Sequence, residues 1–138
     1  MKQVLRILFL GFLFLVGCEK TGVLKAGKYL VSDQEYSSQN YQMERVFTSQ
    51  GSFTESHTID HCLLMEMTGK WKQEKGTLLL TYAQSRNRAN CHDSLPSLKN
   101  DSSDLNIPIR NIQVTGFESF LTGSGGKAAK WIQWNKMD

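Results

Sequence analysis

From residue 28 onward, apolar and polar positions alternate with a period of two, the pattern of strands that bury one face and wet the other. The alternation is sharpest where Leu63, Met65, Met67 and Trp71 are interleaved with Leu64, Glu66, Thr68, Lys70 and Lys72, which directs Trp71 into a core. After a turn at Gln73, Glu74, Lys75 and Gly76, the run Thr77 to Tyr82 returns with Leu78, Leu80 and Tyr82 on one face and Leu79 interrupting the other. Upstream, Lys28 to Ser32 predicts a first strand, and Tyr41 to Thr48 and Ser52 to Ile59 flank Ser49, Gln50 and Gly51, a hairpin with glycine at its turn. Downstream, Ile107 to Val114, Phe117 to Thr122 and Ala128 to Lys136 read as strands, the last two joined through Gly123, Ser124, Gly125 and Gly126. Trp131 and Trp134 are three positions apart, so one strand sends them to opposite faces and only one can lie in the core.

Between Ala83 and Asn106 the composition shifts to Ser, Asn, Asp and Arg around Pro96, which predicts one long loop, with Leu95 and Leu98 offering a single turn of helix. Apart from that excursion, the pattern gives about eight strands joined by short hairpins, an antiparallel meander. Closing a meander removes the exposed edges that invite aggregation, so an all-β, eight-stranded barrel is the expected fold and a β-sandwich the alternative.

The first residues follow a different rule. Lys2 and Arg6 precede an apolar run from Ile7 to Val16, the charged start and greasy middle of a secretory signal. The run is shorter than the roughly 20 apolar residues that span a bilayer. It ends in Leu15, Val16, Gly17 and Cys18, which resemble the bacterial lipobox. That resemblance implies residues 1–17 as a lipoprotein signal peptide, a diacylglyceryl thioether on Cys18, residues 18–27 as a lipidated tether and 28–138 as the folded domain. It also implies the cell envelope as the location, and Glu19 resembles an outer-membrane sorting context. Two or three acyl chains anchor durably where one holds only marginally. Without Lys2 and Arg6, the 16 basic residues of the full chain become 14, against 13 acidic ones. These charges are interspersed, which excludes the clustered basic face of a nucleic-acid binder.

With Cys18 acylated, Cys62 and Cys91 remain, and an oxidising compartment pairs them as a disulfide worth roughly 3 to 4 kcal/mol for a loop of this length. The alternative is a metal site built with His57, His61 and His92. On a strand, however, His57 and His61 would stand about 13 Å apart, so they converge only if the chain turns near Asp60. His57 and His92 are otherwise read as surface histidines, and Glu44 and Glu55 as solvated surface charge. No nucleophile elbow, metal helix or phosphate-binding loop is present, so the sequence predicts neither an enzyme nor a cofactor.

Gly27, Lys28 and Tyr29, then Gly69, Lys70 and Trp71 followed by Gly76 to Leu80, and a late hairpin ending in Lys130 to Lys136, together resemble the small lipocalin-like lipoproteins of bacteria. The resemblance implies a barrel that encloses a small apolar ligand. Its candidate lining is Met65, Met67, Trp71 and Tyr82, with Leu78, Leu80, Phe117 and Phe120 also expected inside. A second expectation is a surface protein that binds a protein partner through residues 85–106 and the 123–127 tip. Ser124, Gly125, Gly126 and Lys127 resemble the serine and glycine loop of lysozyme-inhibitor lipoproteins, which implies a plug for an enzyme's cleft. Intact mass measurement of protein purified from its native membrane is expected to show a chain that starts at acylated Cys18 and gains two hydrogens on reduction. A mass without acyl chains would refute the anchor.

Overall fold

The computed structural model describes residues 22–31, 40–122 and 128–138. Eight strands run in chain order: β1 (Gly27–Val31), β2 (Tyr41–Phe47), β3 (Ser52–Ile59), β4 (Cys62–Glu74), β5 (Thr77–Asn87), β6 (Lys99–Gln113), β7 (Gly116–Leu121) and β8 (Lys130–Met137). Each is antiparallel to its sequence neighbours, and β8 returns to β1 through Lys28↔Met137, Tyr29↔Lys136 and Leu30↔Asn135, closing a barrel. The meander closes rather than splitting into the two sheets of a sandwich.

Local chemistry sets the turns. Asp60 and His61 both take left-handed conformations, φ 48° and 65°, forming a two-residue turn whose twist suits the right-handed strands on either side. Gly51 supplies φ 78° in the β2–β3 turn, and its carbonyl accepts from the Trp71 amide at 2.8 Å.

The alternation reads out as a filled lower half. Tyr29, Phe47, Phe53, Leu78, Leu80, Phe117 and Trp134 are buried there. Their rings meet edge to face, as in Tyr29–Phe47 (5.7 Å), Tyr29–Phe117 (5.2 Å) and Phe53–Tyr82 (5.2 Å), the geometry that aromatic quadrupoles favour. The segment before β1 covers this end. Leu24 is buried, its amide donates to Gln73 Oε1 at 2.6 Å, and Gln73 Nε2 donates to the Gly22 carbonyl at 2.8 Å. Of the late tryptophans, Trp134 is the inner one, and Trp131 lies half-buried on the outer wall against Phe120 (5.4 Å) and under Arg110 (4.0 Å). Phe120 therefore faces outward, because it sits opposite Trp131 in the ladder, contrary to the inward placement read from sequence.

The predicted loop from Ala83 to Asn106 is mostly strand. β5 runs to Asn87, β6 begins at Lys99, and only 88–98 is irregular. Leu95 and Leu98 make no helical turn. Backbone pairing such as Tyr82↔Ser103 and Gln84↔Asn100 overrides the polar composition, whose side chains remain in water. Cys62 and Cys91 form the disulfide, their Cα atoms 6.0 Å apart, and tie the irregular segment to the start of β4.

Gly116 opens β7 at φ 154°, and a Cβ there would stand 1.9 Å from the Trp134 carbonyl oxygen. Gly116→Ala is expected to cost on the order of 2 to 4 kcal/mol and to lower the thermal midpoint by roughly 10 °C or more. Gly76→Ala, whose Cβ would meet only the Ile109 carbonyl oxygen at 3.5 Å, should leave the midpoint within a few degrees. Equal effects in calorimetry would refute this packing.

Candidate functional site

Partners across a β ladder share a face, so the register identifies what points inward above the aromatic floor. On β2 these are Met43 and Arg45; on β3, Glu55 and His57, opposite Arg45 and Met43. On β4 they are Met67 and Met65, opposite Glu55 and His57. The interior thus changes from hydrocarbon to charge within one rung.

The charged groups form a chain. Arg45 Nε donates to Glu55 Oε2 at 2.5 Å, Glu55 Oε1 lies 2.7 Å from His57 Nε2, and His57 Nδ1 lies 2.5 Å from the Tyr41 hydroxyl. The Tyr82 hydroxyl donates more weakly to Glu55 Oε2 at 3.4 Å. Arg45 and Glu55 are only 5% and 3% exposed. The Arg45 guanidinium also lies 4.5 Å from the Trp134 ring centre, and Trp134 Nε1 donates to Ser119 Oγ at 2.8 Å. The charge pair is therefore fixed from both sides.

Burial by itself raises the Glu55 carboxyl, but the charge of Arg45, together with hydrogen bonds from His57 and Arg45, outweighs it and holds the group at about 2. The Tyr82 phenol is pushed up to about 12, first by burial and then by the Glu55 charge. The cluster is an ionised carboxylate and a guanidinium sealed in a low-dielectric wall, with a half-buried histidine and tyrosine leading toward the far end of the barrel. Neutral polar contacts and charge-assisted hydrogen bonds are what it offers a visitor.

The residues singled out from sequence do not form one pocket. Met65, Met67 and Tyr82 surround the Glu55–His57 region, whereas Trp71 lies lower. Trp71 faces the barrel against Phe47 (4.9 Å), with its Nε1 donating to the Thr48 carbonyl at 3.0 Å near the closed end. Glu55 is a core residue rather than solvated surface charge, and it does not face Glu44. Glu44 is on the outer wall, 2.7 Å from Lys28 Nζ. His57 is likewise part of the interior chain rather than a surface histidine. His61 and His92 are exposed, both remaining cysteines are in the disulfide, and among the described residues no cluster of three or more His, Cys, Asp or Glu could hold a metal. Cys18 and the 123–127 tip lie outside the described residues.

Sequence reading missed Arg45. The signal was available: Arg45 falls in phase with Tyr41, Met43 and Phe47, and Glu55 in phase with Phe53, which puts opposite charges on inward positions of one hairpin. Comparison with protein families, curated proteins and solved structures found no match.

Because Glu55 is depressed in the folded state, protons bind the unfolded chain first as acid is added. The stabilisation from this group is complete above pH 4.5 and is lost as pH falls from there to about 2. The shift corresponds to roughly 3 kcal/mol. Glu55→Gln, which leaves the Arg45 charge buried without its partner, should cost about 3 to 5 kcal/mol at neutral pH. In urea titrations the gap from wild type should narrow between pH 4.5 and 2.5, whereas a constant gap would rule out this linkage.

Proposed function

We propose that this protein is a lipid-tethered carrier of the bacterial cell envelope that holds a small apolar molecule in the mouth half of its barrel. The observation that supports this reading is the accessibility of inward positions. Met65 and Ser85 are only partly buried, Ser103 is exposed, and Leu105, paired with the buried Leu80, is 44% exposed. A barrel of this size is filled by side chains or left open for one ligand. Among the described residues, inward positions of β4, β5 and β6 at this end are partly or fully accessible, whereas Val31, Met43, Arg45 and Glu55 on β1 to β3 are buried.

The tether favours a defined orientation. Leu15, Val16, Gly17 and Cys18 motivate the lipid, and Cys18 stands four residues before Gly22, a reach of at most about 14 Å. Gly22 packs against Ile112, and Leu24 is seated in the closed end. Anchoring there turns the closed end to the membrane and the mouth to the aqueous side, so cargo would be exchanged with water or a soluble donor rather than drawn directly from the bilayer beneath.

A second reading, binding of a protein partner at the rim, draws on segment 88–98. The disulfide pins it, Arg88 Nε donates to the Leu63 carbonyl at 2.7 Å, and Arg88 Nη1 donates to the Asp93 carbonyl at 2.9 Å, presenting exposed residues on a fixed backbone.

N-phenyl-1-naphthylamine, a neutral apolar dye, should bind the purified lipoprotein with enhanced fluorescence. Met67→Trp, which fills the interior beside Glu55, should weaken that binding about tenfold or more at unchanged thermal stability. Denaturation of protein from its native membrane should release an apolar compound in stoichiometric amount. Absence of both dye binding and released compound would overturn the carrier reading in favour of the rim.

A further inference from the structure

Among the described residues, two buried side-chain atoms lack a hydrogen-bond partner, Arg45 Nη1 and Arg86 Nε. Arg86 is on the outer wall, where its Nη2 meets Glu66 Oε1 at 2.8 Å. Arg45 is different, because its orphaned donor is inside the barrel, on a side chain that is 5% exposed. A buried donor without an acceptor is costly, and a charged one more so. The oxygens of this cluster bond to other donors and none bonds to Nη1. Glu55 Oε2 accepts from Arg45 Nε, Glu55 Oε1 is with His57, and Ser119 Oγ accepts from Trp134 Nε1.

We propose that Arg45 Nη1 is the polar anchor of the barrel's ligand, and that the ligand is a neutral amphiphile that places one acceptor oxygen, as in a ketone, ester or amide, on this donor with its hydrocarbon part toward Met65 and Met67. The proposal rests on the carrier reading and adds the chemical class of the cargo. Hydrogen bonding and charge separate the candidates. A pure hydrocarbon leaves Nη1 unpaired. A carboxylate satisfies it but adds a second anion beside Glu55, whose charge already balances Arg45, and an uncompensated buried anion carries a large desolvation cost. Only an uncharged acceptor completes the hydrogen bonding without disturbing the charge balance.

The test is displacement of N-phenyl-1-naphthylamine from the full lipoprotein at neutral pH by decane, 2-decanone and decanoate, which differ in the presence and charge of the acceptor. 2-Decanone should compete at least about tenfold more tightly than decane, the increment expected for a hydrogen bond from a charged donor, and more tightly than decanoate. Arg45→Lys, which keeps the charge beside Glu55 but lacks the guanidinium fork, should abolish the preference for the ketone while decane binding persists. The paired substitution Arg45→Met with Glu55→Met should do the same with no buried charge left to unbalance the fold. Equal binding of 2-decanone and decane would mean that water or relaxation satisfies Nη1, and would overturn the proposal while leaving the carrier reading intact. Tightest binding by decanoate would overturn the neutral class. A ketone preference that survives in Arg45→Lys would overturn the assignment to Arg45. Failure of the dye itself to bind would remove the carrier reading and this inference together.

Discussion

Tyr29 occupies the first strand, which closes the meander by hydrogen-bonding to β2 on one side and to the last strand, β8, on the other. β1 has five residues, pairs with β2 along its whole length, and meets β8 through three residue pairs centred on Tyr29. A seam this short gains little from backbone hydrogen bonds alone, since each is worth on the order of 1 kcal/mol net. Packing supports it. The Tyr29 ring contacts Phe47 on β2 and Phe117 on β7, Phe117 stacks on Trp134 of β8, and the Tyr29 hydroxyl donates back to the Lys25 carbonyl at 2.9 Å. The aromatic floor therefore holds the cylinder closed, and every inward position above it has an inside to face.

A closed interior changes the meaning of charge. On an open hairpin Arg45 and Glu55 would be an ordinary cross-strand pair worth a few tenths of a kcal/mol in water. Inside the barrel they lose their hydration, and breaking the pair becomes far more costly than replacing both members with apolar groups. The pair is consequently weak evidence for stability and stronger evidence for a polar requirement at that depth. Trp134 spans the two halves, stacking on Phe117 below and lying against Arg45 above.

How much of this was legible in the sequence depended on whether local pattern or register carried the information. The hairpins, the eight strands and the opposed tryptophans follow from period-two alternation and turn chemistry, which are local. β6 was half hidden because Lys99 to Asn106 has no apolar face, and only its pairing with β5 makes it a strand. Phe120 reads as inward by residue type, whereas its position in the β7–β8 ladder sends it outward beside Trp131. Glu55 and His57 read as surface residues by type for the converse reason, whereas their phase with Phe53 puts them inside. Phase was the better guide in both directions: a side chain's face follows from its rung, and its chemistry decides only what that position costs.

Strand length shapes the end of the barrel opposite the aromatic floor. β4, β5 and β6 have 13, 11 and 15 residues, whereas β1 and β7 have five and six. The long strands form a wall that rises past the end of β7 at Leu121, so among the described residues Lys99 to Asn106 is laddered to β5 on one side alone. That asymmetry explains why Leu105 is exposed although its ladder partner Leu80 is buried. It also explains the composition that looked like a loop: a strand left with a free edge invites pairing with other chains unless charges discourage it. Lys99, Asp101 and Asp104 provide such charges along this stretch. The polar run is thus what lets a strand that, among the described residues, is paired on one side alone stand in water without becoming a site of aggregation.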